Sequence, residues 1–469
     1  MLLSGLTAAG GPVYSRAMKP KPGRWFYAFM MAFIAAGSAS LLLPLFAATV
    51  LQGTVGQIGL MASIASLAGV PFSILWGRWS DRLARRKPFV LLAFIGAGGA
   101  LLLMGLSRSM PHLILLNALM NSAWVAGAAV STLLAIEGID RNRWESRIGR
   151  FNRYTGAGWV SGLAIGAIWS HIAAGLPDSG LRELFYFLAA LDLVAALLAL
   201  RWIRERPVRL KRRGFPGAVV AVGNMLVERF RYAPFHLYYL ARPRRLIEIF
   251  HGENRFGRQL SLYFRSTVLV FIGFSAFFVP LPIFFHQALG MDSSLIYAVW
   301  IVHPLVSTLF HGRAGGLAER WGNRRLQRLA LSIRIVLFPL AGFLPLVGPG
   351  GRIPLILVLF LFTGATWAMT NVTAQGIVIK LAPEEARGQA LGVYNALIGV
   401  GWILGSLLGG YVAGGLGYLA AFSLAAAFLF GALLNLYRLH PQEGVELIPT
   451  TGGVTGPKPR RDGPEAARP

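Results

Sequence analysis

The chain contains no cysteine, which excludes disulfides, thiolate-held metals, iron–sulfur clusters and a cysteine nucleophile. Charge is scarce as well. Only 14% of the 469 residues are Asp, Glu, Lys or Arg, where a soluble globular chain carries about 25%. Acidic residues are the scarcest, 19 against 45 Lys and Arg, which leaves a net charge of +26. The eight histidines are scattered, with no HExxH pattern and no close pair, so nothing supports a zinc site, and there is no Walker A sequence to bind ATP. No metal and no cofactor are expected.

What the chain has is apolar surface: 55% of its residues are hydrophobic and its mean hydropathy is +0.58. A helix needs about 20 apolar residues to cross a bilayer. Such runs follow one another at 25–49, 54–77, 88–107, 111–136, 154–175, 183–203, 265–287, 293–312, 329–347, 353–379, 390–413 and 417–437. No soluble core could bury all of them. The expected fold is an all-α membrane protein with twelve transmembrane helices, the lipid bilayer being its first partner.

Positive charge collects in alternate connections. Arg78, Arg82, Arg85, Arg86 and Lys87 lie in one, Arg141 to Arg153 hold five arginines in the next of the set, and Arg313, Arg320, Arg324, Arg325 and Arg328 fill a third, while the opposite set holds only Arg108, Arg182 and Arg352. The positive-inside rule makes the first set cytoplasmic, with both termini inside a cell (plasma) membrane. It also accounts for the basic balance without nucleic acid as a partner. The stretch 1–23 lacks the layout of a cleaved signal peptide, so the first span is expected to be retained. A basic linker of 204–262 carries arginine-rich segments alternating with apolar ones, a pattern that suits helices lying on an anionic leaflet. The tail 439–469, rich in Gly, Pro and Arg, reads as disordered.

The sequence also repeats itself. Trp124/Trp367, Gly149/Gly392, Asn152/Asn395, Gly158/Gly401, Trp159/Trp402, Gly162/Gly405 and Gly166/Gly409 share one offset of 243 residues. GRWSDRLARRK from Gly77 matches GGLAERWGNRR from Gly315 at a similar offset. Two pseudo-symmetric six-helix halves follow, at 24–203 and 263–438.

On these residues the chain resembles the major facilitator superfamily. The loop after the second span matches the family pattern G-x-x-x-D-R-x-G-R-R at Gly77, Asp81, Arg82, Arg85 and Arg86, with Ala84 in place of the glycine; the second copy keeps Gly322 and has Glu319 for the aspartate. The resemblance implies a conformational latch built from Gly77, Asp81, Arg82 and Arg85, with Gly315, Glu319 and Arg320 as its second copy. Asp81 would cap the eleventh helix near Gln389, where free N–H groups and the helix dipole favour an anion. Arg85 would pair with Glu137, or failing that Asp140.

The resemblance also directs attention to the first, fourth, seventh and tenth spans as cavity walls. Spacing independently places Asn117, Asn121 and Trp124 on one stripe of the fourth, and Thr363, Trp367, Thr370, Asn371 and Gln375 close together on the tenth. Amide, hydroxyl and indole groups suit a small organic substrate, although Asn and Thr also bind helix to helix within membranes. Ionisable residues inside spans are functional candidates. Asp192 and His303 are the proton-coupling candidates, and Arg334 is either structural or snorkels to the surface. The fourth span carries Asn121 where drug antiporters of this kind usually have arginine, and no carboxylate lies in the first, seventh or tenth.

The implied activity is transport, not an enzymatic reaction: secondary-active or facilitative movement of a small organic molecule by alternating access, with efflux favoured over uptake and protons as an optional partner. The rivals are an uptake symporter for a polar metabolite and a transporter-like sensor that binds without translocating. A monomer is expected.

Overall fold

A computed structural model describes residues 23–83, 85–136, 144–203 and 257–439. The expected linker (apart from its last residues, 257–262), the tail from 440 and nearly all of the N-terminal segment lie outside them. So do Glu137, Asp140, Ala84 and the side chains of Asp81 and Arg82. The described residues form fourteen α-helices: α1 Phe26–Thr49, α2 Val55–Leu83, α3 Lys87–Gly105, α4 Met110–Ile136, α5 Trp144–Ile172, α6 Leu181–Trp202, α7 Gly257–Phe278, α8 Leu281–Gln287, α9 Ser293–Trp300, α10 Val302–Trp321, α11 Asn323–Ala341, α12 Pro349–Leu381, α13 Arg387–Leu416 and α14 Tyr418–Tyr437. Twelve spans result, because α7 with α8 makes the seventh and α9 with α10 the eighth.

Both breaks have a proline behind them. A proline cannot donate to the carbonyl four residues back, so Pro282 leaves the carbonyl of Phe278 without its helical donor and Pro304 does the same to Trp300. The chain breaks at Val279–Pro280 and at Ile301. Pro44, by contrast, sits inside an unbroken α1.

Ten of the spans are long and apolar enough to cross a membrane by composition alone. The ninth falls short because α11 carries four arginines, and the fifth because α5 has three arginines in its first turns and many Gly, Ser and Trp residues in the rest. Their packing assigns them nonetheless. Each packing pair in the first half recurs in the second: α1 on α5 as α7 on α13, α1 on α6 as α7 on α14, α2 on α4 as α10 on α12, α3 on α4 as α11 on α12, and α3 on α6 as α11 on α14. α5 thus stands where α13 stands, and α11 where α3 stands, both of which are apolar spans.

Lipid gives helices no hydrophobic reason to associate, so close packing must do it. Glycine at every fourth residue supplies the contact. A Cβ on Gly158 would meet Met30 O at 2.5 Å, and the same atom on Gly401 would meet Val268 O at 2.8 Å. Gly162 and Gly405 are tighter, pressed against the carbonyls of Ile34 and Ile272. The two stripes are equivalent in the repeat and hold α5 on α1 and α13 on α7.

The halves meet through α2 on α13, α5 mainly on the short α9, and α1 on the short α8. Ser63 Oγ donates to Ile403 O at 2.8 Å and lies 2.8 Å from Ser406 Oγ. Ser294 Oγ donates to Ala167 O at 2.9 Å, and Tyr297 Oη to Ser38 O at 2.7 Å. Nearer the helix ends the backbones of Gly59 and Gly410 pack directly on one another. These contacts gather toward the end opposite the basic connections.

Candidate functional site

Between the halves, beneath the short helices α8 and α9, lies a cavity of about 360 Å³. α1 gives it Ser40, Leu41 and Pro44, α2 gives Ile58 and Met61, α4 gives Asn117 and α5 gives Trp159. The second half contributes Phe278, Val279 and Pro282 from the break in the seventh span, Trp300 and His303 from either side of the break in the eighth, Trp367 from α12 and Trp402 from α13. Both interrupted spans therefore open onto the cavity. Irregular backbone at membrane depth is tolerated where it lines such a space.

Four indoles dominate the wall and three polar side chains punctuate it. Ser40 Oγ is occupied by Gly37 O at 2.6 Å, and Asn117 Nδ2 lies 3.4 Å from Met61 O. His303 Nε2 has no hydrogen-bond partner. Its ring is 5.3 Å from that of Phe278 and 6.2 Å from that of Trp367. A surface of this kind suits stacking and apolar contact, with a few positions for a hydrogen bond.

The expected substrate residues divide. Asn117 and Trp367 line the cavity. Asn121 donates instead to Ala65 O on α2. Trp124 faces a separate pocket of about 100 Å³ within the first half, with Phe29, Phe33 and Phe94, its ring 5.4 Å from that of Phe33. The hydroxyls of Thr363 and Thr370 return to carbonyls four residues back on their own helix. Asn371 and Gln375 are partly buried further along α12 and are not among the cavity residues.

Asp192 is buried against Gly98 of α3, within the scaffold of the first half, and its Oδ1 has no partner. Arg334 does not snorkel. It is wholly buried, its Nε donates to Thr366 Oγ1 at 2.8 Å and one terminal nitrogen to Thr363 O at 2.6 Å. Its guanidinium lies 4.1 Å from the Phe274 ring centre and 5.8 Å from that of Trp367.

Of the expected latch, Gly77 lies near the end of α2, partly buried, and Arg85 is exposed in the connection that follows. Gly315 is partly buried on α10, where Glu319 and Arg320 are exposed. The turn after them needs Gly322, whose φ is 80°, a value that disfavours any residue with a Cβ. Glu137 and the Asp81 and Arg82 side chains lie outside the described residues.

Sequence reading missed Trp159, Trp300 and Trp402 as cavity residues. The signal was present for two of them: Trp159 and Trp402 are repeat mates, and both face the space between the halves.

Two like halves packed around one central cavity, each built of spans that cross the bilayer, define a polytopic membrane transporter. The family description "Major Facilitator Superfamily" matches residues 25–349 and 314–463, and the chain belongs to that superfamily. It is 23% identical over 419 residues to the multidrug resistance protein MdtG of Citrobacter koseri, covering 87% of this chain and 93% of the relative. It is equally 23% identical over 419 residues to the multi-drug resistance efflux pump PmrA of Streptococcus pneumoniae, covering 86% and 93%. Among solved structures, the nucleoside transporter NupG superposes with a TM-score of 0.65 at 14% identity, over 89% of this chain and 98% of that one.

Proposed function

We propose that the chain exports small aromatic or lipophilic organic molecules by alternating access, the halves rocking about the tryptophan-lined cavity. The observation that carries this reading is the wall itself: four indoles and few polar groups, a surface that rewards stacking over a fixed hydrogen-bond pattern. The relatives named for multidrug resistance and efflux agree with it. With the basic connections in the cytoplasm, the halves are joined at the outer end, so the conformation faces inward. The motif of Gly77 to Arg86 would then act as the latch of the opposite state.

The likeness to a nucleoside transporter keeps uptake of a polar metabolite as the second reading. Proton coupling would use His303, which touches the cavity, before Asp192, which does not. The test is flux of an aromatic dye in proteoliposomes, with and without an imposed pH gradient. Export driven by the gradient and abolished in Asp81→Asn supports coupled efflux. Flux indifferent to the gradient makes the protein a facilitator, and saturable binding without flux makes it a sensor.

A further inference from the structure

Arg334 is a buried cation without a counter-charge. A guanidinium stays charged at any physiological pH, and an ionisable group at membrane depth is costly and calls for a functional account. Here four aromatic rings and two threonines offset it incompletely: the bonds to Thr366 Oγ1 and Thr363 O use two nitrogens, and Nη1 is buried with no partner. Among the described residues the one buried carboxylate is Asp192, which lies in the other half against α3. Among the described residues no Asp or Glu lines the cavity.

The charge sits directly behind the cavity wall. Trp367 separates it from the cavity, with the guanidinium 5.8 Å from the ring centre, and Phe278, another wall residue, is also 5.8 Å away. A substrate ring stacked on the cavity side of Trp367 would lie about 10 Å from the guanidinium, where a unit charge at an effective dielectric of about 20 changes affinity by about tenfold in either direction. Salt screens little there because the pair is out of water. Nε2 of His303, a buried wall atom without a partner, adds no negative charge.

We infer that Arg334 sets the charge specificity of the cavity, so that the substrates are neutral or anionic aromatic molecules and organic cations are disfavoured. This rests on the reading of the cavity as the transport site. Arg334 acts through the wall as a positioning and specificity residue and need not touch the substrate. A purely structural Arg334, tying α11 to α12, would leave charge preference unmoved.

The test is a size-matched series: 1-naphthaleneacetate, 1-naphthaleneacetamide and 2-(1-naphthyl)ethylammonium. Each is titrated into purified protein in a neutral detergent against protein-free micelles, and each is assayed for flux in liposomes. The acid should bind on the order of a hundredfold tighter than the ammonium, with the amide between them. Arg334→Gln should collapse that ratio to within a few-fold, and Arg334→Lys should keep it. An ammonium that binds or moves as well as the acid overturns the inference and leaves the transport reading standing, as does an unchanged ratio in a folded Arg334→Gln. If Arg334→Gln does not fold, the wild-type ratio decides alone. Failure of all three compounds to bind or move overturns the cavity reading and the inference with it.

Discussion

Trp124 and Trp367 occupy the same position in the two repeats and end in different surroundings, one in a pocket inside its own half and the other on the wall between halves. Their substitutions should separate accordingly. Trp367→Ala removes a stacking face and should weaken binding of an aromatic ligand about tenfold, while Trp124→Ala should lower the melting temperature and leave affinity within twofold; titration and thermal unfolding of both variants check this. Spacing alone could not have told the two apart. The pattern Asn117, Asn121, Trp124 gives a direction around α4, but only the neighbours decide what that direction meets. Asn121 meets a carbonyl of α2 and Asn117, one turn away, reaches the cavity. The same limit hid the neighbourhood of Arg334, whose rings come from α7, α11 and α12 and whose threonines come from α12.

At the level of helices the sequence was far more legible. Glycine at every fourth residue in two repeats marks the two close helix pairs. The expected consequence is graded. Gly162→Val and Gly405→Val place a side chain where the carbonyls of Ile34 and Ile272 already stand, and should lower the melting temperature by many degrees or prevent folding. Gly99→Ala, with nothing within 4 Å of the new atom, should be neutral or stabilise slightly, as alanine does in a helix interior. Thermal unfolding in detergent distinguishes them. Prolines mark both interruptions in the sequence, Pro280 and Pro282 that of the seventh span and Pro304 that at Ile301. The ends of α5 and α11 were less legible, because arginines interrupt their apolar runs and only packing against α1, α12 and α14 shows them to continue.

On the scale of the molecule, the lack of cysteine makes the arrangement easy to probe, since every introduced thiol is the sole one. A single cysteine at Arg108 should react with an impermeant reagent from outside intact cells, and one at Arg313 only after permeabilisation; the reverse pattern would invert the assigned topology. The twelve-span duplication was legible because it is written in hydropathy and offsets, both of which survive without knowledge of contacts. Which end is joined was not, since both alternatives of a rocking bundle use the same residues. The joined end itself is made of serine hydroxyls, a tyrosine and bare glycine backbone, and among the described residues no ion pair crosses it. Opening it separates no charges. Mobile salt weakens attraction between exposed charges and leaves such neutral contacts nearly untouched, so raising the ionic strength on that side of a vesicle should leave the opening rate, followed by single-molecule fluorescence between labelled cysteines at the exposed positions Arg108 and Leu346, essentially constant. The arginine-rich face is the one whose motions should answer to salt.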